Sequence, residues 1–147
     1  MLTFKEHLLE KELPPAISFD MDDTIYLTRW DYENKDYIRD EKGNPAGDLN
    51  EDIAQKIKDF KVKGYKVFII TSRYAIWRKE TEEFLRDNNL MGYIDDVIFT
   101  NGAWKAKTCK RNGVKIHFDD DPEEIRRLKY KDIKGIKVKN PYVPPLK

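Results

Sequence analysis

The chain has little of several features that mark large classes of proteins. Its single cysteine, Cys109, excludes an internal disulfide and a cysteine-rich zinc site, and fits a reducing compartment. Its 28 Lys and Arg nearly balance 27 Asp and Glu, so no overall field favours nucleic acid or a membrane as partner. Long apolar runs and a signal-peptide pattern are also missing, which predicts a cytoplasmic protein without a membrane partner.

The 147 residues predict a single domain, because two full domains would each have too little chain for a core. Short apolar runs typical of buried strands alternate with helical patterns from residue 16 to 138. This alternation predicts the α/β class, a three-layer Rossmann-like domain with a central parallel sheet covered by helices. The predicted strands lie near 16–19, 65–70, 96–99, 114–118 and 133–138, and helices near 50–63, 77–88, 103–111 and 121–130.

Two segments stand outside this alternation. Residues 1–15 form a leading arm, with a short helix predicted from Phe4 to Glu12. Residues 26–47, which we call the flap, are charged and aromatic, and Gly43-Asn44-Pro45 marks a turn. The flap is predicted to be a loop or short hairpin over the sheet edge. In the second helix, Trp77, Phe84 and Leu85 are expected to share one apolar stripe.

Polar side chains follow three of the predicted strands. Parallel strands end at the same sheet edge, so these groups are expected to meet in one crevice. Clustered carboxylates are costly without a counter-ion, and a divalent cation is the simplest remedy. A carboxylate can attack phosphorus, while a cation, a hydroxyl and a lysine stabilise the phosphoryl oxygens. The groups are Asp20, Asp22 and Thr24; Thr71, Ser72 and Arg73; and Asp119 and Asp120, with Lys105 before the fourth strand.

Four segments in this order resemble the motifs of the haloacid dehalogenase (HAD) superfamily of Mg²⁺-dependent phosphohydrolases. They are Phe19-Asp20-Met21-Asp22-Asp23-Thr24-Ile25, Ile69-Ile70-Thr71-Ser72-Arg73, Trp104-Lys105-Ala106 and Phe118-Asp119-Asp120. Asp23 stands where glycine is commonest in the family. A lone Asp-x-Asp would be weak, since acids after a strand are often turn formers, but four ordered motifs are a specific pattern.

The resemblance implies roles for the acidic residues. Asp20 would be the nucleophile and a metal ligand. Asp22 would be the general acid and base, and its backbone carbonyl would also contact the metal. Of the two acids in the fourth motif, Asp120 is usually the ligand for Mg²⁺, which would leave Asp119 to anchor the lysine. Which of these two acids binds the metal directly remains open at this point.

It also implies roles for the residues around the phosphate. Thr71 would be the phosphate-binding hydroxyl and Lys105 the motif lysine, with Lys107 as the rival. Thr24, Ser72 and Arg73 would lie on the substrate side, where Thr24 also braces the loop of the acid. Each has a plainer alternative: Thr71 as a helix cap, Lys105 as a surface lysine, and Arg73 as the partner of an acid.

The resemblance implies a phosphomonoesterase that works through an aspartyl-phosphate. Neither usual insertion point holds enough chain for a cap domain, and capless members resemble enzymes that admit large or extended substrates. We therefore expect a phosphorylated substrate, with nucleotides or nucleic-acid ends as the first choice. The alternatives are a phosphatase of small metabolites and a non-catalytic module that binds phosphate and Mg²⁺. Nothing in the sequence indicates an oligomer.

Overall fold

The computed structural model describes residues 15–142 and is built on a five-stranded parallel sheet. The strands of this sheet are apolar over most of their length, as strands covered on both faces are. They are β1 (Ala16–Phe19), β6 (Lys66–Thr71), β7 (Asp96–Phe99), β8 (Val114–Asp119) and β9 (Lys134–Lys137). The predicted α/β fold with a central parallel sheet is confirmed.

Helices cover both faces of the sheet and bury separate cores. On one face, α1 (Glu51–Val62) and α2 (Arg78–Asp87) pack against inward side chains such as Phe19 and Ile69. On the other face, α3 (Ala106–Arg111) and α4 (Pro122–Lys129) pack against Ile70. Because side chains alternate along a strand, Ser18 and His117 lie on the second face, with Cys109.

The strand order is β7-β6-β1-β8-β9, so the chain builds outward from β1 in one direction and then in the other. The switch lies between β1 and β8. In open α/β sheets, ligands bind beyond the carboxyl ends of the strands at such a switch point. Asp20 follows the last residue of β1, and Asp119 is the last residue of β8, so both stand at this place.

The flap is more ordered than a plain loop. Its ends pair as an antiparallel ribbon of β2 (Tyr26–Thr28) and β5 (Gly47–Leu49), and β3 (Trp30–Asp31) pairs with β4 (Asp36–Tyr37). Gly47 lies under the Tyr26 ring, where a Cβ would come within 2.2 Å of a ring carbon. Since this small double ribbon is the whole insertion, the expected absence of a large cap at this point agrees with the structure.

Helix boundaries differ from the predictions in two places. Trp77 does not belong to the buried stripe of α2, because it ends a short 3₁₀ turn (Ala75–Trp77) and is 43% exposed. The third helix starts at Ala106 rather than 103, because Asn101 and Gly102 adopt left-handed turn conformations. The predicted leading helix lies outside the described residues. Among residues 15–142, no helix has the length and apolar character needed to span a bilayer.

Candidate active site

The loop after β1 makes a tight turn in which one carbonyl accepts several backbone hydrogen bonds. The backbone N–H groups of Ile25 and Tyr26 both donate to the Met21 carbonyl, at 3.0 and 2.9 Å. The turn needs a left-handed residue, and Asp23 supplies it with φ of 59°. Asp tolerates this conformation better than most residues other than glycine, and glycine is the commonest residue here in the resembling family.

The side chain of Asp23 adds what glycine could not. One carboxylate oxygen accepts hydrogen bonds from the Thr28 N–H at 3.1 Å, the Thr28 hydroxyl at 2.5 Å and the Asn140 amide at 2.8 Å. Asn140 also donates to the Thr28 carbonyl at 2.9 Å. The loop, the flap and the segment after β9 are therefore tied together at one carboxylate.

Asp20 and Asp119 share one buried cation. The Nζ of Lys105 lies 2.7 Å from Asp20 Oδ1 and 2.7 Å from Asp119 Oδ2, and all three side chains are at most 6% exposed. Burial works against the charge on Lys105, but the two carboxylates outweigh it and raise the pKa of the ammonium. Burial raises the pKa of Asp20 well above its usual value, although Lys105 opposes this.

Behind Asp119, a buried hydrogen-bond chain fixes the carboxylate. His117 Nε2 lies 2.8 Å from Asp119 Oδ2, and His117 Nδ1 lies 2.6 Å from Ser18 Oγ on β1. Burial alone would raise the pKa of Asp119, but the hydrogen bond from His117 and the charge of Lys105 lower it to about 2. The other oxygen of Asp119 accepts the Asp121 N–H at 3.0 Å. Both oxygens of Asp119 are thus already engaged.

Three carboxylates could hold a cation here. One oxygen each from Asp20, Asp119 and Asp120 can be chosen so that all three lie within 4.8 Å of one another. Oxygen ligands of this kind suit Mg²⁺. Burial raises the pKa of Asp120 to about 6, and the charge of Asp119 adds to this effect, so the ionised carboxylates of the cluster repel one another. A divalent cation would relieve that repulsion, and the residues present fit the expected metal.

Asp22 is not one of these three acids and is held by Arg73. The Arg73 Nε and Nη2 lie 2.9 and 2.6 Å from the two oxygens of Asp22, a bidentate arrangement that fixes the plane of the carboxylate. The Arg73 Nη1 donates to the Thr81 hydroxyl on α2 at 2.8 Å. The Asp22 side chain remains 45% exposed and borders the same pocket as Asp20.

The remaining predicted site residues differ in their place: Ser72 and Lys105 line this pocket, whereas Thr71 and Thr24 do not. Thr71 and Thr24 are fully buried; the Thr71 hydroxyl accepts the Arg73 N–H at 3.2 Å, and the Thr24 hydroxyl lies 3.4 Å from Asp20 Oδ2. Ser72 is exposed and lines the pocket. Of the two lysines, only Lys105 reaches the acids, because Lys107 points to the solvent on α3.

Sequence reasoning missed the third carboxylate beside Lys105, that of Glu124. Glu124 accepts the Lys105 N–H at 3.1 Å, and its carboxylate lies 3.5 Å from Nζ. In the sequence, Glu124 has the pattern of an acid at a helix start, so only its place on α4 reveals the contact. His117 could have been found, because it stands two residues before Asp119 and so faces the same side of β8.

Comparisons with known proteins give structural neighbours only: no protein-family model and no curated protein matches the chain. A chain of the Pnkp1/Rnl/Hen1 complex aligns with TM-score 0.66 and 20% identity, covering 87% of this chain and 46% of that one. A chain of the Pnkp1/Rnl/Hen1 RNA repair complex aligns with TM-score 0.63 and 22% identity, covering 86% of this chain and 42% of that one. A predicted HAD-like family hydrolase from Porphyromonas gingivalis aligns with TM-score 0.59 and 10% identity, covering 88% of this chain and 93% of that one.

At these identities the likeness establishes the fold. The present chain spans less than half the length of the two chains from Pnkp1/Rnl/Hen1 complexes and nearly the whole length of the Porphyromonas gingivalis hydrolase. A HAD-superfamily hydrolase from Ehrlichia chaffeensis, with TM-score 0.54 and 12% identity, covers 86% of this chain and 93% of its own. The resemblance indicated by the four motifs is therefore confirmed at the level of the fold.

Proposed function

Because the chain has the fold of the HAD superfamily, we propose that it is a phosphatase that hydrolyses phosphate monoesters with Asp20 as nucleophile. One observation carries the proposal. The ends of β1 and β8 and the start of α3 bring Asp20, Asp119 and Lys105 into direct contact, with Asp22 and Asp120 beside them. These residues are up to a hundred positions apart in the chain, and hydrolase neighbours share the fold.

The proposed reaction has two steps. An oxygen of Asp20 attacks phosphorus, the ester P–O bond breaks, and Asp22 gives its proton to the departing oxygen. Asp22 then takes a proton from water, which attacks the phosphorus of the aspartyl-phosphate and releases inorganic phosphate and Asp20. Arg73 orients the ionised Asp22 for the second step by holding its two oxygens, and one of these oxygens leaves the ion pair when Asp22 carries the proton that it gives in the first step.

Lys105 and Thr71 would stabilise the charge on the phosphoryl oxygens. Lys105 Nζ donates hydrogen bonds to Asp20 and Asp119, which leaves its third proton for a phosphoryl oxygen. Thr71 accepts a hydrogen bond from the Arg73 N–H, which leaves its own proton for a phosphoryl oxygen. Ser72 lines the pocket at the solvent side and would contact the phosphate there.

We propose that Mg²⁺ is held by Asp20, by the backbone carbonyl of Asp22 and by Asp120. Asp120 is favoured over Asp119 because both oxygens of Asp119 are engaged by Lys105, His117 and the Asp121 N–H. When bound, the cation supplies charge neutralisation, so that an anionic carboxylate and an anionic phosphate can approach each other. Asp119 would then keep Lys105 in place.

For the substrate, we propose a phosphorylated nucleotide or nucleic-acid end. One neighbour is a chain of the Pnkp1/Rnl/Hen1 RNA repair complex, and within residues 15–142 the insertion between β1 and α1 amounts to the small flap. A sheet edge with so small an insertion leaves room for an extended substrate.

The experiment is hydrolysis of phosphate esters with and without Mg²⁺ by the wild type, Asp20→Asn and Asp87→Asn. Asp87, an exposed acid at the end of α2, is the matched control. Asp20→Asn should abolish turnover and Asp87→Asn should not. Acid quenching followed by mass spectrometry should find phosphate on Asp20 in the wild type. Equal turnover by wild type and Asp20→Asn would refute the proposal.

A further inference from the structure

A second cleft opens beside the proposed reaction centre, between the flap and the start of α2. It has a volume of about 340 Å³ and shares Asp22 and Arg73 with the centre. The flap supplies Tyr26 and the segment from Asp40 to Pro45, while the α2 side supplies Trp77, Glu80 and Phe84. Three aromatic side chains thus line a cleft that begins at the proposed general acid.

The aromatic wall is fixed in place rather than adaptable. The Tyr26 hydroxyl donates to the Pro45 carbonyl at 2.9 Å, and its ring meets the ring of Phe84 edge-on at 4.8 Å between centroids. The Arg73 guanidinium lies 5.5 Å from the Tyr26 centroid. Gly47 lets the ring approach the backbone, as described above. The contacts of Tyr26 with Pro45, Phe84 and Arg73 fix its ring, so this part of the lining is pre-organised for a ligand.

Trp77 is the adaptable part of the lining. It is 43% exposed, although Trp is usually among the more buried residues. Its backbone carbonyl accepts the Thr81 hydroxyl at 2.8 Å, so the backbone is anchored while the indole stays open to a ligand. A large aromatic surface left open in a cleft favours a ligand with a flat ring.

The position of Asp22 decides which part of a substrate lies here. A general acid must reach the oxygen that leaves, so the leaving group extends from the phosphate toward Asp22 and not toward Lys105. Beyond Asp22 lies the aromatic cleft. Around its rim, Lys42, Asn44 and Glu80 offer charged and amide groups that could contact polar edges or a neighbouring phosphate.

We propose that this cleft is the leaving-group subsite and takes a nucleoside whose base stacks on Trp77. The inference rests on the proposed phosphatase function and narrows its substrate class. A mononucleotide and the terminal nucleotide of a strand present the same nucleoside to the cleft.

The test compares Trp77→Ala with Ile76→Ala, since Ile76 is the preceding residue, is 83% exposed and does not line the cleft. We would measure kcat/KM for glycerol phosphate, a nucleoside monophosphate and an oligonucleotide with the same terminal phosphate. Trp77→Ala should lower kcat/KM for both nucleoside substrates about 10-fold more than it lowers kcat/KM for glycerol phosphate. About 1.4 kcal/mol of stacking corresponds to this factor. Ile76→Ala should change none of the three. The two nucleoside substrates distinguish a free nucleotide from a strand end.

A binding measurement separates this inference from the proposed function. Calorimetry on Asp20→Asn should find that adenosine monophosphate binds more tightly than glycerol phosphate, and that adding Trp77→Ala removes most of the difference. If no ester is hydrolysed, the phosphatase proposal fails, and the calorimetry still decides the cleft. Equal losses for all substrates in Trp77→Ala, or equal binding of the two phosphates, would overturn the inference.

Discussion

Replacing Lys105 by methionine tests the electrostatic core of the site. The substitution keeps an unbranched side chain of similar length but removes the ammonium. Asp20, Asp119 and Glu124 would then lie buried around an apolar group, with His117 still hydrogen-bonded to Asp119. Because carboxylates in such a place repel one another and have lost their solvation, the folded state should be strongly destabilised.

The magnitude follows from burial. Lys105 is 3% exposed, and its partners Asp20 and Asp119 are 6% and 0% exposed. Removing one member of such a buried pair costs about 3–5 kcal/mol, a large part of the stability of a domain of this size. Burial already raises the pKa of Asp20, so without the ammonium this carboxyl should take up a proton more readily. The loss should therefore be smaller at pH 5 than at pH 8.

The assay is urea denaturation followed by circular dichroism, at both pH values, with a chelator and then with Mg²⁺. Lys107→Met is the matched control, because Lys107 is two residues away, within α3, and exposed. It should change the free energy of unfolding by less than about 0.5 kcal/mol. Mg²⁺ should restore part of the loss in Lys105→Met. Equal losses in the two variants would refute the argument that Lys105 neutralises the acids.

Three further outcomes are expected. Asp120, whose pKa burial raises to about 6, is more protonated in the folded than in the unfolded chain, so metal-free stability falls as pH rises through 6. Since Mg²⁺ competes with that proton, the increase in Tm on adding Mg²⁺ should be larger at pH 7.5 than at pH 5, and Asp120→Asn should reduce it. Asp23→Ala should lower the free energy of unfolding by about 2 kcal/mol, and Asp23→Gly should lower it by less. Both variants lose the hydrogen bonds to Thr28 and Asn140, but glycine adopts the φ of 59° without strain. Equal losses of free energy in urea denaturation would argue against a conformational cost. Gly47→Ala should displace the Tyr26 ring and lower the urea concentration at the midpoint of unfolding. Gly92→Ala should leave this midpoint unchanged, because a Cβ at Gly92 meets nothing within 4 Å. An unchanged midpoint in Gly47→Ala would show that the ring moves aside at no cost.

The sheet and the meeting of the strand ends could be predicted because they depend on regular features. Buried parallel strands are apolar runs, and polar residues that follow them collect at one edge whatever the length of chain between them. This is why Asp20 and Asp119 could be expected side by side. Lys105 was preferred to Lys107 because it lies at the start of the helix predicted near 103–111, which places it nearer the crevice.

Other features depend on contacts that no local pattern carries. Trp77 has helical spacing to Phe84 and Leu85, but the chain makes a 3₁₀ turn before α2, so its indole stays open to solvent. The flap ribbon depends on Gly47 passing under the ring of Tyr26, a residue 21 positions earlier in the chain. The contact of Glu124 with Lys105 depends on how α3 and α4 pack. All three features depend on contacts between segments that are distant in the sequence, and the local sequence pattern does not specify such contacts.

The two acids at the end of β8 show how position assigns different chemistry to identical side chains. Asp119 belongs to the strand, so its side chain faces the same side as His117 and meets Lys105. These two partners lower its pKa to about 2 and both contact Oδ2, while the Asp121 N–H donates to Oδ1. Asp120 is one residue further on and lacks that cation within hydrogen-bonding distance, so burial raises its pKa to about 6. A carboxylate whose two oxygens both accept hydrogen bonds suits a supporting role. A carboxylate that is costly to ionise by itself gains most from a divalent cation, and we therefore expect the metal to bind at Asp120 and to lose affinity as the pH falls below 6.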